Sequence, residues 1–96
     1  MIHVFVPYKV RPDSIETVKE IVGKFISKIE KNEPGTLFYK SFQQQDDPTY
    51  FTHVMTFTDS EAEMLHKKST YCREFTDVLY PLCEIMPKPI TQNEIN

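Results

Sequence analysis

The order of apolar patterns along the chain predicts an α+β domain built β-α-β-β-α-β, the split βαβ arrangement of the ferredoxin-like fold with a four-stranded antiparallel sheet. Three observations carry this. Apolar residues alternate with period two in residues 2–10, 36–45 and 50–58, as half-buried strands do. They recur at three and four residues between the first two of these segments, and again after the third, as helices do. The closing segment IMPKPITQ is apolar but carries Pro87 and Pro89, which restrict it to a sheet edge.

Each element has its own signals. In the first strand Ile2, Val4, Val6, Tyr8 and Val10 share a face, while His3, Phe5 and Pro7 share the other. Asp13 with Glu16 resembles a capping box, and Ile15, Val18, Val22, Phe25 and Ile29 form the stripe of a helix over about 14–31. Glu33-Pro34-Gly35 turns the chain into the second strand, with Leu37 and Tyr39 on one side and Phe38 and Phe42 on the other. Asp46-Asp47-Pro48 leads to the third strand, with Phe51, His53, Met55 and Phe57 on one face. Asp59 or Ser60 caps the next helix, Ser60 and Glu63 having the spacing of a capping box, and Ala62 and Leu65 are expected to pack on the sheet. Ser69-Thr70 breaks and re-caps that helix, after which Cys72, Phe75, Leu79 and Leu82 make an apolar stripe that Pro81 must bend or end.

At 96 residues the chain reads as a single domain, 1–96, able to bury roughly 65% of its unfolded surface. The net charge of −3, with Lys and Arg dispersed, speaks against nucleic acid as a partner. No apolar run reaches the ~20 residues of a bilayer span, and the N-terminus has no signal-peptide pattern, so a soluble cytoplasmic protein with no membrane partner is expected. Cys72 and Cys83, eleven residues apart, read as reduced packing thiols, since a helix would separate them by about 16 Å. Strand parity has a further consequence: two helices cover one face of the sheet, yet apolar side chains occupy both. A homodimer through the open sheet face follows as an expectation.

The motifs for chemistry are few. His3, His53 and His66 lack the companions of a zinc site, so no metal is expected. Glycine occurs only at 23 and 35, which excludes a nucleophile elbow, a phosphate loop and a dinucleotide fingerprint, and no cofactor is expected. What remains is a cluster on the third strand and the helical region after it. Met55, Phe57 and Phe75 would wall an apolar pocket, Tyr39 and Tyr71 would supply hydroxyls, and His53 and His66 would handle protons. The bland alternative for every one of these residues is a packed core. For His66 the choice lies between a catalytic base and a hydrogen-bonded hinge between two helical segments.

The stretch from Glu33 to Leu82 resembles the shared core of the antibiotic biosynthesis monooxygenase family. The matching features are the Glu33-Pro34-Gly35 turn, Phe57 closing the third strand before Asp59, Glu61-Ala62 with His66 following, then Phe75 and Leu79. The resemblance implies a dimeric α/β barrel of two ferredoxin-like protomers, each with a pocket between sheet and helices. Members of that family include cofactor-free oxygenases of phenolic or anthrone-like aromatics, heme-degrading enzymes, and a branch acting on a phosphorylated signal molecule. Three positions depart from the family pattern. Phe57 stands where many active members have Trp, Val6 stands at or beside an Asn of the heme-degrading branch, and Tyr71 replaces a second His. Heme degradation is accordingly disfavoured.

The sequence thus predicts a monooxygenase-like oxidoreductase acting without a cofactor on a small aromatic or phenolic molecule. His66, His53 and Tyr71 are its candidate catalytic residues, and Tyr39, Met55, Phe57 and Phe75 would bind substrate. Two alternatives stand beside it: an isomerase of a small carbonyl compound, and a non-catalytic ligand-binding or stress-associated dimer. An open cavity holding His66 and a tyrosine hydroxyl would favour an enzyme, and a filled core with His66 bonded to backbone would favour the last.

Overall fold

The computed structural model describes residues 1–96 and has the predicted layering. Strands β1 (Ile2–Val10), β2 (Thr36–Gln43) and β3 (Tyr50–Phe57) pair antiparallel with β1 beside β3 and β3 beside β2. Helices α1 (Ile15–Asn32), α2 (Ser60–Lys68) and α3 (Thr70–Leu79) supply the second layer. No helix is long and apolar enough to cross a membrane.

The last strand differs from the single edge strand expected. It is two short pieces, β4 (Cys83–Ile85) and β5 (Ile90–Gln92), both antiparallel to β1 on its outer edge, so the sheet has five strands. The reason is local: Pro87 and Pro89 have no N–H to give to a ladder, and Met86–Pro89 leaves the sheet.

Helix α1 buries Val18, Val22, Phe25 and Ile29, the expected stripe. Its entry is different: Pro12–Ser14 forms a 3-10 turn, and no side chain caps the helix, since the Ser14 hydroxyl bonds Asp13 instead. At α2 the cap is Asp59, whose carboxylate accepts from the Ala62 N–H at 2.9 Å, so Ser60 is the first helical residue, the Ser60–Glu63 box is not formed, and Glu63 pairs with Lys67. Leu65 points outward at 59% exposure, contrary to expectation; only His66 of α2 is buried. Ser69 caps α3 as predicted, its hydroxyl accepting from the Cys72 N–H.

Two apolar clusters result. The larger joins Tyr8, Val10 and Phe51 of the sheet to the α1 stripe, Phe75 and Leu79. The smaller, Val4, Met55 and Phe57, lies at the other end of β1 and β3. On the far face of the sheet Phe5, Phe38 and Phe42 are 40 to 54% exposed and no helix covers them. Both cysteines are free thiols, in α3 and β4.

Candidate functional site

Between sheet and helices opens a cavity of about 750 Å³ that draws its lining from both clusters. The expected wall residues Met55, Phe57 and Phe75 all line it, as do Tyr39, His53 and His66. His53 and Phe57 share strand parity, and the cavity is long enough to reach both. Tyr71 is the exception: its side chain stands outside the cavity lining.

The two histidines are held in different ways. His53 on β3 sits between two phenols: the Tyr8 hydroxyl is 2.8 Å from Nε2 and the Tyr39 hydroxyl 2.7 Å from Nδ1. Burial, with His66 nearby as a second cause, lowers the His53 pKa from 6.5 to about 4. The ring is therefore neutral at pH 7 and has one N–H and one lone pair. Burial also raises the Tyr39 pKa well above its ordinary value, with Tyr8, Cys72 and Glu33 adding, and raises Tyr8 in the same way, so both phenols keep their protons.

Counting protons across this triple gives a chemical result. One phenol must accept from the imidazole N–H while the other donates to its lone pair. The accepting phenol still has its own O–H, and neither hydroxyl has a second protein partner. Since Tyr8 and Tyr39 both line the cavity, this spare O–H is a donor available to a bound molecule.

His66 on α2 meets a carboxylate. Its Nδ1 lies 3.0 and 3.1 Å from the two oxygens of Glu33, which only accept, so Nδ1 carries the hydrogen. In the neutral ring Nε2 then bears the lone pair. No protein group bonds Nε2, and no sealed side-chain nitrogen or oxygen lacks a partner, so this atom opens onto the cavity that the ring lines. Phe57, Tyr39 and Phe25 surround the ring with centroids 5.4 to 5.7 Å away. The backbone of His66 does the other job considered for it: its carbonyl accepts from the Ser69 hydroxyl at 2.8 Å and from the Ser69 N–H, closing α2 at the joint with α3. Hinge and cavity histidine are the same residue.

Glu33 escaped the sequence reading, which saw it only as part of a turn. It ends α1, where its N–H bonds the Ile29 carbonyl, and its side chain is buried. Besides His66 it accepts from the Thr36 hydroxyl at 2.6 Å and from the Tyr71 hydroxyl. Tyr71 therefore bears on the cavity indirectly, through Glu33 and by packing against Phe25, and burial together with the Glu33 bond raises its pKa to about 12. Gly35 makes the arrangement possible. A β-carbon there would lie 2.6 Å from that of Ala62, so only glycine lets the turn after Glu33 approach α2 this closely, and its carbonyl accepts from the Thr58 N–H. Tyr8 was also missed as a site residue, since its place in the apolar alternation of β1 reads as core.

Solved structures with this architecture are numerous. Over the full length of both chains, one described as an antibiotic biosynthesis monooxygenase superposes with a TM-score of 0.91 at 19% identity. A protein of Nitrosomonas europaea provisionally given the same name matches over all of both chains, with a TM-score of 0.92 and 21% identity. Another from Caulobacter crescentus matches 99% of this chain and 90% of its own, at 0.92 and 18%. At such identities the likeness speaks for the fold. No curated protein matches the chain. The family model for antibiotic biosynthesis monooxygenases matches residues 1–78, which takes in β1 to β3, all of Glu33, His53 and His66, and most of α3. On that match the chain belongs to the antibiotic biosynthesis monooxygenase family.

Proposed function

We propose that the protein is a monooxygenase that works without a cofactor on a small aromatic or phenolic molecule bound in the cavity between sheet and helices. The observation that carries this is the free Nε2 of His66, backed by Glu33 and facing an apolar cavity that also offers a phenolic O–H. Oxygenation without a cofactor requires the substrate itself to supply the electrons. An acidic C–H or O–H on an aromatic ring loses its proton to His66 Nε2, and Glu33 holds the ring in the tautomer that accepts it. The spare hydroxyl of the Tyr8–His53–Tyr39 triple stabilises the oxyanion by hydrogen bonding. The resulting carbanion reduces dioxygen and forms a C–O bond as a peroxide. Loss of water from a peroxide at a CH₂ carbon leaves a carbonyl, with one oxygen atom in the product and the other in water. Met55, Phe57 and Phe75 keep the site dry around these charges.

In this scheme His66 is the base and His53 a positioning group, because an imidazole with a pKa of about 4 is a weak base. Tyr71 acts indirectly, through Glu33. The exposed face holding Phe5, Phe38 and Phe42 supports a homodimer through the sheet.

Oxygen uptake against a panel of hydroxylated aromatics and anthrones tests the reading. With a turned-over member in hand, His66→Ala is expected to lower kcat about 100-fold or more, the usual scale for losing a positioned base. Unchanged uptake in His66→Ala refutes the role. A second reading has its own support, since a base and a hydroxyl donor on one cavity also suit enolisation of a small carbonyl compound. Turnover that persists under argon selects it.

A further inference from the structure

Apart from the two histidines, the charged groups that line the cavity, Glu63, Lys67, Lys68 and Arg73, are exposed or half-buried and mostly of one sign. Among the lining residues the only acid is Glu63, and it is paired to Lys67 at 3.4 Å. Lys68 and Arg73 also line the cavity, both are exposed, and neither makes a salt bridge. This is a local positive field on a chain whose net charge is −3. Helix packing explains part of it only: Lys67 and Lys68 end α2, where cations suit the dipole, whereas Arg73 lies in the first half of α3, where they do not. Arg73 follows Ser69 by four residues, and both line the cavity beside the positive end of α3, whose first turn has no acid. An arginine there, near the dipole end that repels it and unpaired although Glu74 and Asp77 share its helix, Glu74 bonding Lys28 instead, is placed for an anion from outside the protein.

We infer that the substrate carries an anionic substituent, a carboxylate or phosphate, which Arg73 and Lys68 hold at the mouth while the aromatic part enters toward His66. This rests on the proposed function in taking the cavity as the binding site, and it narrows the substrate class to acidic aromatics. Arg73 supplies a planar fork able to bind two oxygens at once, and Lys68 a single mobile charge. Their exposure makes the contact dependent on ionic strength.

Binding of three probes of similar shape tests it: phenol, 4-hydroxybenzoate and phenyl phosphate, followed by calorimetry at low salt. The anionic probes are expected to bind at least about 10-fold more tightly than phenol, consistent with charge-assisted hydrogen bonding. Arg73→Gln with Lys68→Gln should remove that advantage while leaving phenol affinity unchanged, and so should high salt in the wild type. Phenol binding equal to that of both anions overturns the anionic subsite and leaves the cavity reading intact. Tighter binding of the anions that survives the double substitution assigns the preference to other residues and equally overturns it. If none of the three binds, the cavity reading falls and the subsite with it.

Discussion

His53 and His66 line one cavity and are each less than a tenth exposed, yet the fold treats them in opposite ways. The strand histidine is fixed at both nitrogens by neutral phenols and buried deeply enough to lose its basicity. The helix histidine is fixed at one nitrogen by a carboxylate and keeps the other open. Residue type says nothing about which would serve as the base in the proposed function. The partners decide, and they come from β1 and β2 in one case and from the end of α1 in the other.

Acid tests the strand histidine. His53 has a folded pKa of about 4 against 6.5 for an ordinary histidine, so between these values the unfolded chain binds the proton that the folded chain refuses. Stability from this group is complete above about pH 7, falls as the pH drops toward 4, and levels off below that, a loss of about 3 kcal/mol in all. Urea unfolding at pH 7 and pH 4 should show this difference shrinking in His53→Gln; an undiminished difference would place the acid sensitivity elsewhere. A smaller effect tests the turn that carries Glu33, the partner of the other histidine. Gly35→Ala drives a β-carbon into Ala62 and should cost about 2 kcal/mol, as overpacking does. Ala62→Gly in the same chain should restore most of it, whereas additive losses would show the clash to be absorbed elsewhere. The smallest effect belongs to the phenol triple: Tyr8→Phe leaves Nε2 of His53 without its partner and should cost about 1 kcal/mol in a thermal or urea unfolding curve.

Most of the scaffold was legible because it is written in local periodicity. The stripe Val18, Val22, Phe25 and Ile29, the alternation of β3 and the Ser69 cap all depend on spacings within a few residues, and all stand in the structure. The cavity walls were legible for the same reason, since parity alone puts Met55 and Phe57 on the face that the helices cover. Glu33 was not, because its partners His66 and Tyr71 are 33 and 38 residues further on and nothing periodic links them. A clue was present in retrospect: a carboxylate two residues before one of only two glycines marks a turn that must approach something closely. Leu65 was misjudged because α2 is only nine residues long and turns just His66 fully inward. The split of the last strand needed the register of β1 on its outer edge, which the prolines suggest but do not locate.

That split has a consequence for selectivity. Pro87 and Pro89, which interrupt the sheet edge, also form part of the cavity wall, and neither has an N–H to offer. In the proposed function, a guest lying against them finds no backbone N–H there, only carbonyls that accept. Donors to a guest must come from other lining side chains, such as the spare hydroxyl of the Tyr8–His53–Tyr39 triple. The proline wall would therefore suit a guest edge that is apolar or that donates, and would penalise one that needs a donor.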